Sequence, residues 1–125
     1  MKQIISTKNA PQAIGPYSQA IDLGSLVFCS GQIPLVPETG ALLSGDIREQ
    51  TEQVIANIRG VLAAAELTLD HVVKTTCFLA DMDDFAAFNE VYGNHFTAKP
   101  ARSCVAVKTL PKNALVEVEV IAMKE

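Results

Sequence analysis

With 125 residues the chain has room for one domain, expected over 1–125, whose core needs neither disulfides nor metals. Hydrophobic residues make up 49%, yet no apolar run nears the roughly 18 residues of a membrane span, and no signal-peptide core follows Met1. A net charge of −4 without a Lys/Arg cluster weighs against nucleic-acid binding. So much apolar character without a membrane span suggests that other subunits cover part of it. Cys29, Cys77 and Cys104 form no CxxC pair and read as the reduced thiols of a cytoplasmic protein. His71 and His95 stand alone, so no metal site is expected.

Residues 2–6 form a short edge strand, and Asn9-Ala10-Pro11 and Ile14-Gly15-Pro16 then punctuate a loop. Strands at 17–23 and 26–30 flank Gly24-Ser25, a two-residue hairpin signal. In that register Leu23 opposes Leu26, Ile21 opposes Phe28 and Gln19 opposes Ser30. Tyr17 is then diagonal to Ser30, beside Gly31. A phenol and a hydroxyl there can bind a small polar ligand or simply cap a strand end.

After a loop with Pro34 and Pro37, Asp46 caps a helix, with Glu49 completing a capping box. Ile47, Thr51, Val54, Ile58, Val61, Leu62 and Ala65 give that helix one apolar face and no chemistry. Residues 71–80 are β-branched and aromatic, a strand. A second helix opens at 81–84 and carries Phe85, Phe88, Tyr92 and Phe96, an aromatic stripe read as core, with Asn89 beside it. Strands at 103–109 and 115–123 close the chain around Leu110–Ala114.

The order β-β-β-α-β-α-β-β predicts an α+β fold: one mixed, mostly antiparallel sheet of about six strands, both helices on one face. The other face needs a cover, which favours self-association. Near the C-terminus, Pro100 ends the helical region and Arg102 stands at the mouth of a strand. An Arg fork holds a carboxylate through two parallel hydrogen bonds. Glu117 and Glu119 share one face of the last strand. Arg102 and Glu117 are parts of a site or a plain surface pair.

Several motifs in order now carry a resemblance. Ala13-Ile14-Gly15-Pro16-Tyr17-Ser18-Gln19-Ala20, Ser30-Gly31-Gln32-Ile33-Pro34, Phe88-Asn89-Glu90-Val91-Tyr92, Pro100-Ala101-Arg102-Ser103-Cys104-Val105 and Glu117-Val118-Glu119-Val120-Ile121-Ala122 are similar to the Rid/YjgF family of reactive-intermediate deaminases. The archetypal subgroup is the nearest, through Arg102. The resemblance implies a chorismate-mutase-like fold, a homotrimer with sites between subunits, and hydrolysis of 2-imino acids (2-iminobutanoate, 2-iminopropanoate) to 2-oxo acids and ammonia. By the same implication Arg102 grips the substrate carboxylate and Glu117 positions water. The main chain at Gly31 and Cys104 adds hydrogen bonds, and Tyr17, Ser30 and Asn89 shape the pocket. No metal, cofactor, nucleic acid or membrane is implied, and the Cys104 thiol is a bystander.

Ala106, Thr109 and Asn113 stand where that family commonly reads Glu, Arg and Asp, and Glu66 stands where it has Gly. Two other readings compete: an endoribonuclease or translation inhibitor, and a non-catalytic metabolite-binding or chaperone trimer. If 103–109 and 115–123 paired directly, with Thr109 opposite Leu115, Glu117 would oppose Val107. That leaves it ~16 Å from Arg102 along a strand at about 3.3 Å per residue. Either these strands are not neighbours in that register, or the site joins two subunits. The second is favoured, the Tyr17/Ser30 end meeting the Arg102 strand of a neighbour.

Overall fold

The computed structural model describes residues 2–125, and its elements follow the expected order. Six strands, β1 (Gln3–Ile5), β2 (Ala20–Asp22), β3 (Leu26–Gln32), β4 (Val72–Leu79), β5 (Ala101–Ala106) and β6 (Val116–Met123), form one sheet in the order β1-β2-β3-β6-β4-β5. Neighbours run antiparallel except β4 and β5, which are parallel. The helices are α1 (Ile47–Ala64) and α2 (Phe85–His95).

Period-two alternation decides which face is core. Val27 and Cys29 on β3, Thr75, Cys77 and Leu79 on β4, and Val116, Val118, Val120 and Ala122 on β6 are all buried. The apolar ones share a cluster with Val54, Ile58, Val61 and Leu62 of α1 and Phe88, Val91 and Tyr92 of α2. Both helices therefore cover the same face, as the pattern predicts. The opposite face stays bare, with Ile4, Phe28, Val105 and Met123 exposed on it. Among the described residues no helix is long and apolar enough to cross a membrane.

α1 begins as expected. Asp46 Oδ1 accepts from the Glu49 amide at 2.9 Å, and Glu49 Oε1 accepts from the Asp46 amide at 3.0 Å. It ends with Glu66 at φ +62, a left-handed residue where a glycine would be unstrained. The hairpin register also holds: Ile21 pairs with Phe28, and the Ser30 amide donates to the Gln19 carbonyl at 2.9 Å.

Three differences bear on the site. β2 starts at Ala20 rather than 17, because the buried Gln19 side chain is taken up by the 7–11 loop. It accepts from the Thr7 amide at 2.7 Å and donates to the Pro11 carbonyl at 2.7 Å. β3 runs past Ser30 to Gln32 through a bulge, since Cys29 pairs with Val120 but Gln32 with Val118.

The third difference is topological. The strand expected at 103–109 is Ala101–Ala106, and it is no neighbour of β6. β4 lies between them, so the direct hairpin with Glu117 opposite Val107 does not form. Joined to β4 through α2, β5 lies parallel to it and becomes the edge. β6, apolar at every second position, gains a partner on each side in the sheet's centre. A 3-10 turn at Pro111–Asn113 helps carry the chain across, with Lys112 and Asn113 both near φ +57.

Candidate functional site

The residues singled out above fall into two groups. Tyr17, Ser30, Gly31 and Glu117 line one cleft of about 690 Å³. Its walls are loop 11–17, the β3 bulge, Ile33, Leu35 and the 111–112 turn. Asn89 and Arg102 line a smaller cleft of about 410 Å³ between α2 and the start of β5. Cys104 follows on the same face of β5, half-buried.

Ladder register shows how far apart these groups lie. Arg102 pairs with Thr75 of β4, and Glu117 pairs with Phe78. Thr75 and Phe78 are three residues apart, so their side chains leave opposite faces of the sheet. Arg102 therefore points to the helix-covered face and Glu117 to the bare one. Their Cα atoms are separated by ~14 Å, combining about 10 Å along the strands with two strand spacings. Within one chain these two groups do not meet.

In the larger cleft, Glu117 sits over the bulge at Gly31. A Cβ at Gly31 would fall 2.9 Å from the Glu117 Cδ and 3.1 Å from its Cγ, so only glycine leaves the carboxylate its place. Burial, and next the like charge of Glu119, hold the Glu117 carboxyl above its ordinary value of 4.5. Among the described residues no Lys, Arg or His forms an ion pair with it. Ser30 Oγ donates to the Ser18 carbonyl at 2.6 Å, which fixes that hydroxyl at the rim. Tyr17 is 53% exposed and its hydroxyl accepts a long 3.4 Å contact from the Ile14 amide.

In the smaller cleft, Arg102 lies against α2. Its Nη1 donates to Asn89 Oδ1 at 2.6 Å. Its Cζ is 4.7 Å from the Tyr92 ring centroid and 5.5 Å from that of Phe85, within cation–π range. Cys104 pairs with Cys77 in the β4–β5 ladder. Burial pushes both thiols up, Cys77 to about 12, which leaves them protonated at neutral pH.

Several lining residues were not assigned to a site from sequence. Lys112 and Glu119 face the Glu117 cleft, and Phe85 and Tyr92 form a bed for Arg102. For the last two a signal existed: Phe85, Asn89 and Tyr92 follow one another at i, i+4 and i+7 on one helix face. Lys112 gave no such signal, because its position depends on where the 3-10 turn crosses the sheet. His71 and His95 line neither cleft. His71 Nδ1 is 3.1 Å from the Thr68 amide, and His95 bridges Glu52 and Arg59.

Comparison with known proteins agrees with this frame. The Endoribonuclease L-PSP family model matches residues 7–124. A RutC family protein of Pyrococcus horikoshii is 53% identical over 126 residues, covering all of both chains. The 2-iminobutanoate/2-iminopropanoate deaminase of Salmonella typhimurium is 47% identical, covering 99% of each chain. The crystal structure of Escherichia coli TdcF with bound serine superposes with a TM-score of 0.93 at 44% identity, covering 98% of this chain and 99% of that one. Yeast Mmf1 gives 0.96 at 47%, covering all of both chains. Matched along almost its entire length in sequence and in fold, the chain belongs to the endoribonuclease L-PSP family, the Rid/YjgF proteins.

Proposed function

We propose that this protein hydrolyses reactive 2-imino acids, 2-iminobutanoate and 2-iminopropanoate, to 2-oxo acids and ammonia. The observation that carries this reading is the half-buried Glu117 carboxylate, held over Gly31 in an open cleft with no cation paired to it among the described residues. A carboxylate kept from its usual ion pair is available to a water molecule. Raised above its ordinary range, it is a stronger base towards that water once ionised.

In this reading the imino carbon is already electrophilic when its nitrogen is protonated. Glu117 accepts a proton from water as the oxygen adds to C2, giving a tetrahedral amino alcohol. The same carboxyl returns that proton to nitrogen; as the C–N bond breaks and the C=O bond forms, the carboxylate takes the hydroxyl proton and passes it to the departing ammonia. Iminium and water thus become 2-oxo acid and ammonium. Arg102 holds the substrate carboxylate through its fork, and Gly31 and Cys104 supply main-chain hydrogen bonds. Tyr17, Ser30 and Asn89 bound the pocket.

Because Arg102 and Glu117 of one chain leave opposite sheet faces, a single substrate reaches both only if they come from different copies. A homotrimer with sites between subunits meets that need, and would cover the bare face carrying Phe28 and Val105. Escherichia coli TdcF, with its bound serine, supports a small amino-acid-like ligand for the cleft.

The test generates 2-iminobutanoate in situ with a threonine dehydratase and follows 2-oxobutanoate release with and without this protein. Acceleration by the wild type, and loss of ~10-fold or more in Arg102→Lys and in Glu117→Gln, is expected. No acceleration by the wild type removes the deaminase reading. Full activity in Arg102→Lys removes the two-point clamp.

A further inference from the structure

Arg102 lies on an edge strand, yet it is held on several sides. Asn89 binds one nitrogen of the fork at 2.6 Å, and Tyr92 and Phe85 place ring faces within 4.7 and 5.5 Å of the guanidinium carbon. All three belong to one face of α2. The strand brings the Arg to them because Arg102 pairs with Thr75, and Thr75 faces the same helix.

Tyr92 is the member that needs explaining. It is 7% exposed and stacks on Phe96 with centroids 4.5 Å apart, which a phenylalanine would do equally well. Instead it carries a hydroxyl into the interior, where a polar atom is costly unless bonded. Its partner is Thr75 Oγ1, 2.8 Å away and fully buried. Thr75 is itself an oddity among the apolar residues of β4. Each buried hydroxyl answers the other, and the ring is thereby tethered at the end far from its backbone. Burial, the largest cause, holds the phenol above its ordinary value, so it stays a neutral hydrogen-bonding group. A tethered ring keeps one orientation, and a guanidinium stacked on it keeps its own plane.

We infer that Tyr92, tethered by Thr75, is a positioning residue for Arg102: with Asn89 it sets the plane of the guanidinium and leaves the rest of the fork to take a ligand carboxylate. The inference rests on Arg102 being the group that holds the substrate carboxylate. An arginine on an exposed strand edge would otherwise sample many rotamers, and ordering it would fall on each binding event. Here α2 orders it beforehand. A flat conjugated acid then docks with its carboxylate in the same plane as the fork.

The experiment titrates the full-length protein with 2-oxobutanoate, an unreactive probe carrying the same carboxylate, followed by NMR and calorimetry. In the wild type the Arg102 Nε–H signal is expected upfield of free arginine, shielded by the Tyr92 ring, and shifting on titration. Tyr92→Phe keeps the ring face but loses the Thr75 tether, and is expected to weaken binding ~3-fold with the upfield signal partly lost; binding and signal both unchanged would overturn the tether. Tyr92→Leu removes the nearer ring face and is expected to weaken binding ~10-fold, with the signal moved towards its free position while Phe85 stays beside it. Placed in an Arg102→Met background, Tyr92→Leu is expected to weaken binding no further, an outcome that a merely structural role would not give.

An Arg102 Nε–H signal at the free-arginine position in the wild type overturns the inference without any variant, even if Tyr92→Leu fails to fold. So does a folded Tyr92→Leu that binds within ~2-fold, or one that weakens binding equally in both backgrounds. If Arg102→Met alone leaves binding unchanged, the clamp reading of Arg102 fails instead, while the ring-shifted signal still decides whether Tyr92 orients it.

Discussion

Glu117 and Gly31 occupy one another's space. The carboxylate of Glu117, in the central strand, lies where the Cβ of any other residue at 31 would be. The bulge between Cys29 and Gln32 creates that room by adding one residue to β3 opposite Glu119. The requirement is steric rather than conformational, since Gly31 is not among the residues of positive φ.

Gly31→Ala is therefore expected to displace the carboxylate rather than the strand. Overpacking of this kind costs about 1–3 kcal/mol where neighbours cannot yield. Here the neighbour is a flexible carboxylate, so the thermal midpoint is expected to fall only slightly while activity drops ~10-fold or more. Iminobutanoate hydrolysis and a thermal melt on the same sample check this. An active Gly31→Ala protein would separate Glu117's position from catalysis.

A pH dependence follows from the same carboxylate. Its pKa lies above 4.5 in the folded chain, by burial first and Glu119 second. Below 4.5 it is protonated whether folded or unfolded, and contributes no difference. As pH rises from 4.5 through the folded value, the unfolded chain loses its proton first, so folding is disfavoured over that window and by a constant amount above it. Glu117→Gln should thus melt higher than wild type at pH 7, with the gain vanishing near pH 4.

Activity is expected to run the opposite way, since in the proposed mechanism the ionised form takes the proton from water. The acid limb of kcat/KM is expected to have its midpoint above 4.5. Glu119→Gln removes the like charge and should move that limb to lower pH, with Lys112 left facing the cleft. A limb unmoved by Glu119→Gln would show that its charge does not reach Glu117.

Much of the fold was legible because the local and long-range signals agree. The alternation from Val116 to Val120 marks β6, and Asp46 with Glu49 marks the start of α1. Strand order was not legible: nothing local to 103–123 says that β4 will insert between the last two strands. That single fact sets Arg102 two strands away from Glu117 and three residues along, rather than one strand away and five residues along. The Tyr17–Ser30–Gly31–Glu117 grouping was partly visible, because the Gly24-Ser25 turn sets Tyr17 beside Ser30. Glu117's arrival beside them was not, because it depends on β6 pairing with β3. Asn89 was ambiguous on the helix and is decided only by Arg102.

Complementation tests the two-copy site. Arg102→Ala and Tyr17→Ala subunits, each inactive, are mixed, unfolded and reassembled. Part of the activity is expected to return, because some clefts then combine an intact Arg102 with an intact Tyr17. Light scattering should give about three times the mass of the 13.4 kDa chain. No recovery in verified mixed trimers would put both groups on one subunit, and a monomer would remove the shared cleft.

The last expectation concerns the cleft wall and lies on α1, whose apolar face carried no sign of chemistry. Besides Thr51, whose hydroxyl bonds back to the Ile47 carbonyl, two polar residues interrupt that face seven apart, Gln50 and Asn57, both buried. Asn57 Nδ2 donates to the carbonyls of Ile33 at 3.2 Å and Leu35 at 2.9 Å, the residues that wall the Glu117 cleft. Its Oδ1 accepts from Gln53 at 2.9 Å. Gln50 fixes the adjoining segments, donating to the Leu43 carbonyl and accepting from the Leu115 amide. Outside the sheet, residues 33–35 are held by the Leu35–Leu42 bridge on one side and by α1 on the other. Asn57→Leu fills the volume but leaves the Leu35 carbonyl without its donor, while Ile33 keeps that of the Leu35 amide, at a cost of about 1–3 kcal/mol. A midpoint lowered by several degrees is expected, together with a raised KM and a nearly unchanged kcat, since the wall shifts while Glu117 stays over Gly31. Equal loss in kcat and kcat/KM would instead mean that the wall and the carboxylate move as one.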